Sequence, residues 1–245
     1  MGEIKIVADL HVHTVSSGHA YSTVMEIVKV AAQKGLKAVA ITDHGPAMPG
    51  GPHRYHFGNL HVLPEKEKNV EILRGVEANI IDKEGSLDMP VQYLRRLDIV
   101  WAGLHIPCFQ PSTRSTNTAA LLNALDNPYV DGIVHPGNPD FPIDEPALVR
   151  AAAEKGKLLE INNSSFLVRR GSRTICRKIA ALASRYQAPV ALNSDAHFAN
   201  DVGCVEESLE IAVESGITAA QIVNSNIDIL RDFLQKRGKK RFLRG

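Results

Sequence analysis

Short apolar runs rich in β-branched residues alternate with amphipathic stretches along the whole chain. The apolar runs predict seven strands, at residues 4–10, 37–42, 72–81, 98–104, 130–135, 157–161 and 189–193. Because these runs contain few polar residues, they are typical of parallel strands buried on both faces of a sheet. The alternation of strands and helices, with no linker between them, therefore predicts a single α/β domain.

Helical spacing of apolar residues fills the gaps between these strands. It covers residues 22–34, 116–127, 146–156, 172–186, 204–215 and 225–237. Thr116 is suited to cap the second of these helices, and Pro146 is suited to the first turn of the third. The Gly- and Pro-rich stretch 45–64 is too long for an ordinary connection, which indicates either a loop that serves a site or disorder.

Seven of the ten histidines follow apolar strand runs or lie in the loop directly after one. They are His11, His13, His19, His44, His105, His135 and His197. The carboxyl ends of parallel strands meet at one face of a barrel or open sheet, so these imidazoles are expected to gather there. One histidine at such a position means little, but five strand ends that supply seven of them predict a multinuclear metal site.

Two of these strand ends carry ligand-type residues two positions apart. His11 and His13 point to the same side because Val12 points to the other, so both imidazoles can reach one metal. Asp195 and His197 repeat this spacing. Taken alone, a His-x-His pair is also compatible with two surface histidines. The prediction of a metal site therefore rests on all the candidate residues together.

Further carboxylates occur near the strand ends. Glu77 lies within an apolar strand, where an unpaired carboxylate has a high free-energy cost, and a metal is a better partner for it than Arg74. Asp9 is a candidate for orienting a ligand, and Asp43 or Thr42 is a candidate partner for the second nitrogen of His44.

Together these observations predict nine metal ligands, and their side-chain types restrict the metal. The set is His11, His13, His19, His44, Glu77, His105, His135, Asp195 and His197. Imidazole and carboxylate ligands favour Zn²⁺, with Mn²⁺ or Fe²⁺ as alternatives, and the lack of thiolates argues against a closed structural zinc site. Ligands from so many strand ends converge most easily in a closed, TIM-like (β/α)7 barrel. An open doubly wound sheet is the alternative, because periodicity alone cannot establish closure.

Composition adds little about partners. The net charge is +1, and the basic excess is confined to residues 236–244, so we predict a domain over residues 1–238 and a flexible basic tail over residues 239–245. Aromatic residues make up only 5% of the chain, which makes nucleic acid an unlikely partner. The chain shows no signal peptide, no membrane-length apolar run and no paired cysteines, so we predict a cytoplasmic protein, with a homo-oligomer left open.

The ligand motifs resemble those of the PHP (polymerase and histidinol phosphatase) family of metal-dependent hydrolases. They are His11-Val12-His13-Thr14, Thr42-Asp43-His44, Glu77, His105, His135-Pro136 and Asp195-Ala196-His197. Phrases such as Gly75-Val76-Glu77-Ala78-Asn79 resemble the YcdX-like bacterial phosphatases of that family. The resemblance implies a distorted seven-stranded barrel with three metals at its carboxyl-end face. It also implies that His11, His13, Glu77 and Asp195 hold the first metal, that Glu77, His105 and His135 hold the second, and that His19, His44 and His197 hold the third.

The function hypothesis is a phosphatase that cleaves small phosphomonoesters with a metal-activated hydroxide. Glu77 would set the metal spacing, and Asp195 would supply anionic ligation and help to orient the water. Arg54, His56, Arg114 and Asn163 are candidate substrate contacts because they lie in loops after strands. The alternatives are a phosphodiesterase or nuclease of the same fold, an amidohydrolase, and a regulatory module that binds metal without catalysis.

Overall fold

Seven parallel strands form a nearly closed barrel in the computed structural model, which describes residues 4–243. Together with one short antiparallel strand, β3, the strands in chain order are β1 (Ala8–Val12), β2 (Ala38–Ile41), β3 (Lys66–Glu67), β4 (Val70–Asn79), β5 (Ile99–Gly103), β6 (Gly132–Ile133), β7 (Leu158–Asn162) and β8 (Val190–Asn193). Their order in the sheet is β1-β2-β4-β5-β6-β7-β8, and the short β3 pairs antiparallel with β4. The predicted (β/α)7 barrel is therefore confirmed, and the open sheet is excluded.

Backbone ladders join all neighbouring strands except the first and the last, and the ladder between β1 and β2 shifts register between Asp9 and Val12. Between β1 and β8 there is a single bridge, Val12 to Ala196, with a hydrogen bond of 2.9 Å from the His13 amide to the Ala196 carbonyl. This seam lies directly beside the histidines of β1. The barrel is thus closed by few backbone bonds at the face where the predicted ligands gather.

Helices connect the strands and cover the outside of the barrel. Within residues 4–243 they are α1 (Val24–Gln33), α2 (Tyr55–Asn59), α3 (Val91–Leu94), α4 (Arg114–Asp126), α5 (Glu145–Lys155), α6 (Ser165–Val168), α7 (Ser172–Tyr186), α8 (Glu206–Glu214) and α9 (Ile227–Lys236). Short 3-10 turns occur at Val15–Ser17, Leu60–Val62, Ala199–Asp201, Ala219–Gln221, Val223–Ser225 and Lys240–Leu243. None of the helices in this part of the chain has both the length and the apolar character needed to cross a membrane.

Local side-chain chemistry sets several helix boundaries. Thr23 and Glu26 form a capping box at the start of α1. Helix α4 begins earlier than predicted, because the N-terminal cap is Thr113 and not Thr116. The hydroxyl of Thr113 accepts a hydrogen bond from the backbone amide of Thr116. The stretch 45–64 is also not a plain loop, since it contains α2 and a 3-10 turn.

The barrel interior below the metal face is filled by apolar side chains. Trp101 is fully buried there, and its indole nitrogen donates a hydrogen bond of 2.6 Å to the carbonyl of Leu10. A side chain at Gly132 would lie 2.4 Å from the Trp101 ring, which explains glycine at that position. Leu230 and Leu234 of α9 belong to the same core cluster, so the last long helix closes the floor of the barrel. The interior is therefore a packed core and not a channel.

The basic segment after α9 is docked onto the barrel wherever the structure describes it. The ammonium of Lys239 lies 2.5 Å from the carboxylate of Asp131, and Arg241 donates to the Ile72 carbonyl at 2.8 Å and to Asp98 at 3.3 Å. These buried carboxylates need cationic partners, which the basic segment supplies. Residues 239–243 of the predicted basic tail thus contact the barrel, whereas Arg244 and Gly245 lie outside the described residues; the boundary at residue 238 and the flexibility of the tail stay predictions.

Candidate metal centre

The strand ends bring eight of the nine predicted ligands to one face of the barrel, and His19 lies over them from the loop after β1. His11, His13, Glu77, His135, His44 and Asp195 are each at most 6% exposed. The His105 side chain is 9% exposed and that of His197 is 31% exposed. The His19 ring stacks on the rings of His44 and His197, with centroids 5.0 and 4.9 Å away. The structure therefore brings all nine side chains together.

Within the described residues, these side chains offer three overlapping sets of ligand atoms. In each set the atoms lie within 4.8 Å of one another, and the sets are His11-His13-Asp195, His44-Glu77-His105 and His13-His44-His197. The first set matches part of the grouping that the family resemblance implies. The other two sets differ from that grouping. His44 occurs with Glu77 and His105 in one set and with His13 and His197 in the other, whereas the resemblance assigns His13 to the first metal and His44 to the third.

Glu77 is the hub of the cluster. Its Oε1 atom lies 2.9 Å from His105 Nε2 and 2.8 Å from His135 Nε2, and its Oε2 atom lies 2.7 Å from His44 Nδ1. Neither Glu77 Oε2 nor His44 Nδ1 has a hydrogen-bond partner of acceptable geometry, although both atoms are buried. Arg74 is not the partner, since it donates to the Leu63 carbonyl. Two buried polar atoms this close without a hydrogen bond fit a shared cation.

Hydrogen bonds on the far side of the imidazole rings fix which nitrogen faces the centre. His11 Nδ1 lies 2.7 Å from the carboxylate of Glu160, so Nδ1 carries the proton. Ser17 donates its hydroxyl proton to Asp43 at 2.7 Å and therefore accepts from His13 Nδ1 at 3.1 Å. In its neutral form each ring then turns a lone pair on Nε2 towards the centre.

These two lone pairs face each other and two carboxylates. His11 Nε2 and His13 Nε2 are 3.0 Å apart, and His13 Nε2 lies 3.2 Å from Asp195 Oδ1 and 3.4 Å from Glu77 Oε2. Without a positive charge among them, four acceptor atoms at these distances repel one another. The donor set, imidazole nitrogens with carboxylate oxygens, thus fits a divalent cation such as Zn²⁺.

The electrostatics of the cluster agree with this reading. Burial would raise the pKa of Glu77, but the imidazoles of His44, His105 and His11 hold it well below its ordinary value, so Glu77 is ionised. Burial, together with the nearby His44, lowers the pKa of His13 to about 3. Burial would lower the pKa of His11 and of His44, but Glu160, Asp195 and Glu77 raise that of His11 well above its ordinary value, and Glu77 raises that of His44. The carboxylates thus draw positive charge onto this cluster, and a bound divalent cation would supply that charge while its imidazole ligands are neutral.

Backbone strain also marks this face. His135 and Asp195 adopt positive φ angles of 30° and 56°, a region that residues other than glycine rarely occupy. Both are predicted ligands at strand ends. Strain of this kind commonly accompanies functional sites.

A cleft of about 550 Å³ opens beside the cluster. Of the predicted ligands, His19, His44, Glu77, His105, His135, Asp195 and His197 line it. Arg169, from the turn after α6, also lines it, with Nη1 3.8 Å from Asp195 Oδ2 and 2.7 Å from the hydroxyl of Ser165. The cluster is therefore accessible to a ligand of small-molecule size, with one guanidinium next to it.

The four predicted substrate contacts are distributed unevenly. Asn163 lines the cleft, although its side-chain oxygen accepts from the Ser208 amide. Arg54, His56 and Arg114 are not among the residues that line it. Arg114 donates to the Ile143 carbonyl and pairs with Glu145. His56 lies 3.1 Å from the carboxylate of Asp43, so it supports the ligand loop from behind.

The predicted roles of two carboxylates also change. Asp43 does not contact the His44 ring; it accepts from Thr14 and Ser17 and lies beside His56. Asp9 accepts from the hydroxyl of Ser194 at 2.5 Å and from the Gly203 amide at 2.7 Å. Both carboxylates thus stabilise the loops that carry the predicted ligands by hydrogen bonds, and neither orients an imidazole ring of a predicted ligand directly.

Sequence reasoning missed Glu160, Ser17 and Arg169. Glu160 interrupts the apolar strand Leu158-Leu159-Glu160-Ile161 in the same way that Glu77 interrupts β4, so the same rule could have found it. Ser17 and Arg169 offered no such signal, because their roles depend on loops folding back over the barrel.

The comparisons with known proteins agree with this site. Residues 9–155 match the PHP domain. A probable phosphatase of Caldanaerobacter subterraneus is 50% identical over 240 residues, which cover 97% of this chain and 94% of the relative. A probable phosphatase of Acetivibrio thermocellus is 47% identical over 241 residues, covering 98% and 100%. These relatives support the predicted class of enzyme, a metal-dependent phosphatase.

Solved structures share the fold at low sequence identity. The histidinol phosphate phosphatase of Lactococcus lactis, solved with zinc, L-histidinol and phosphate, superposes with a TM-score of 0.60 at 15% identity, covering 86% of this chain and 94% of that one. A putative histidinol phosphatase of Listeria monocytogenes gives 0.56 at 16% identity, covering 80% and 97%. Because the PHP match spans more than half of this chain and the probable phosphatases align over nearly their whole length, the chain belongs to the PHP domain family.

Proposed function

We propose that this protein hydrolyses small phosphomonoesters at a site that holds three divalent ions, most favourably Zn²⁺. The observation that carries the proposal is the buried carboxylate of Glu77, contacted by three imidazoles and left with one oxygen outside any hydrogen bond. In a cluster of this kind, divalent cations acidify a water and neutralise phosphoryl oxygens.

The proposed ligands are the nine side chains of the cluster. His11, His13 and Asp195 would hold one ion, and Glu77 would bridge from it to an ion held by His105 and His135. His19, His44 and His197 would hold the third. The stacked rings of His19, His44 and His197 support this third group. Asp195 and Glu77 supply the anionic charge that keeps several cations close together.

One feature of the cleft and one comparison support a phosphate ester as the substrate. The guanidinium of Arg169 lies at the edge of the cluster, where it can donate two parallel hydrogen bonds to the oxygens of a phosphoryl group. The solved relative from Lactococcus lactis contains both zinc and phosphate. The cleft also leaves the cluster accessible, which favours catalysis over a closed binding site.

Phosphodiester hydrolysis of nucleic acid is less favoured. Strand binding requires a groove with several basic and aromatic side chains. Among the cleft-lining residues in the described part of the chain, Arg169 is the only arginine or lysine, and none is Phe, Tyr or Trp.

The test combines metal analysis with activity. Protein purified after incubation with Zn²⁺ or Mn²⁺ is expected to hold three ions per chain and to release phosphate from phosphomonoesters faster than from bis(p-nitrophenyl) phosphate or DNA. Glu77→Gln is expected to bind fewer ions and to lose activity by about 100-fold or more. Glu84→Gln, an exposed carboxylate paired only with Lys83, is the matched control. Full activity in metal-depleted protein would refute the proposal.

A further inference from the structure

We propose that the cleft selects phosphomonoesters of alcohols that carry an apolar group and no second anionic group. This inference rests on the phosphatase activity proposed above and names its substrate class. It follows from the wall of the cleft beyond the cluster, which we call the apolar rim and define as Ile106, Pro107, Leu167 and Val168. Leu104 continues this surface towards the metal face.

The rim is unusually exposed for apolar side chains. Leu167 and Val168, at the end of the four-residue helix α6, are 80% and 67% exposed, and Ile106 is 48% exposed. These side chains line the same cleft as the proposed ligands Glu77 and Asp195. A phosphate held at the cluster therefore leaves its alcohol group against this surface, where removing apolar area from water stabilises the complex.

The charges around the cleft restrict the alcohol further. Asp140 and Asp201 are exposed carboxylates that line it, and Arg169 is its one arginine or lysine among the described residues. If Arg169 pairs with the phosphate, a second anionic group would meet carboxylates without a compensating cation. Sugar bisphosphates, nucleotides and phosphorylated carboxylic acids are thus disfavoured.

The alcohol group can be varied while the leaving-group chemistry stays nearly constant. The probes are ethyl phosphate, 2-phenylethyl phosphate and 2-carboxyethyl phosphate, all esters of primary alcohols, assayed with the metal-loaded protein. We expect kcat/KM for 2-phenylethyl phosphate to exceed that for ethyl phosphate by about tenfold or more, since an apolar group of this size gains roughly that factor on burial. We expect 2-carboxyethyl phosphate to be the poorest of the three.

The double variant Leu167→Ser/Val168→Thr tests whether the rim causes this preference. The ratio of kcat/KM between 2-phenylethyl and ethyl phosphate is expected to fall about fivefold. Val62→Thr and Val213→Thr are matched controls, because both valines are more than half exposed and neither lines the cleft. They should leave the ratio unchanged.

Three outcomes would overturn the inference. Equal kcat/KM for the ethyl and 2-phenylethyl esters would refute the apolar preference while leaving phosphatase activity intact. A double variant with an unchanged ratio but a changed mass in sedimentation would identify the rim as an interface between copies of the chain. If fully metal-loaded protein hydrolysed none of the esters, the proposed function itself would fail, and the inference with it.

Discussion

His11 Nδ1 lies 2.7 Å from Glu160 Oε1, and both side chains are buried. Glu160 also accepts from the His135 amide and from the side-chain amides of Asn162 and Asn193. One carboxylate therefore orients the imidazole of one ligand and the backbone of another.

The first prediction concerns this carboxylate. In Glu160→Gln the side-chain NH₂ group replaces one carboxylate oxygen and faces at least one of the groups that donate hydrogen bonds to Glu160. Two donors then face each other, so the His11 ring loses its fixed orientation. We expect the metal affinity, measured by competition with a chromogenic chelator, to fall by about 10- to 100-fold. Glu154→Gln, an exposed change on α5, is the control. Unchanged affinity would show that Glu160 does not position His11.

Ser17 gives the second prediction. Its hydroxyl joins His13 Nδ1 to Asp43 and also accepts from the His44 amide. Ser17→Ala removes the acceptor that fixes the His13 tautomer, and we expect about tenfold weaker metal binding in the same chelator competition. Ser16→Ala changes the neighbouring hydroxyl and should have no effect. Equal losses in both variants would indicate general damage to the turn.

The third prediction separates Arg169 from the metal ligands. Arg169→Met is expected to keep the metal content of the parent protein, while inhibition by orthophosphate weakens about tenfold or more because a charge-assisted hydrogen bond is lost. Arg170→Met, at the exposed neighbouring position, is the control. Phosphate inhibition as strong as in the parent protein would exclude Arg169 as a phosphate contact.

The fourth prediction concerns pH. Burial opposes ionisation of Asp43, but bonding to His56, the nearby His13 and the Ser17 hydroxyl hold its pKa at about 2, against an ordinary value of 3.8. Since the folded-state pKa is the lower one, ionised Asp43 stabilises the fold fully above about pH 4 and loses this effect as the pH falls towards 2.

Urea unfolding of chelator-treated protein measures this effect. The loss of unfolding free energy in Asp43→Asn should be about 1 kcal/mol smaller at pH 3 than at pH 6. Asp232→Asn, an exposed change on α9, should show no such dependence. A difference that is constant across this range would contradict the lowered pKa.

The fifth prediction tests the docked basic segment. Lys239 is 8% exposed and pairs with the fully buried Asp131, which Arg237 also contacts at 3.2 Å. Lys239→Ala leaves this carboxylate only partly compensated, and we expect the free energy of unfolding to fall by about 3 kcal/mol in urea. Lys240→Ala, at an exposed position, should change it by less than about 0.5 kcal/mol. Similar values for both variants would mean that residues 239–243 contribute little to stability.

The barrel and the convergence of the nine proposed ligands at one face could be predicted because both follow from local patterns. Apolar runs identified the strands, and the two-residue spacing of His11 with His13 gave the direction of their side chains. Strand ends were less certain: β1 extends through His11 and Val12, and His11 is fully buried.

What could not be predicted depends on contacts between distant segments. Arg114 follows a strand, as a substrate contact would, but the carbonyl of Ile143 and the carboxylate of Glu145 hold it away from the cleft. Arg169 reaches the cluster only because α6 folds back over β7. The basic residues after Gly238 resembled a solvated tail, since nothing in their own sequence indicates the buried Asp131 and Asp98 that bind them.

The sparse backbone pairing between β1 and β8 has a consequence for the order of events in the cell. His11 and His13 are made near the start of synthesis, whereas Asp195 and His197 are made more than 180 residues later. With the proposed ligand set, the ions that these side chains share would be fully enclosed only after β8 has left the ribosome. Metal loading would then be a late step in maturation, and it would fasten the two ends of the barrel wall together.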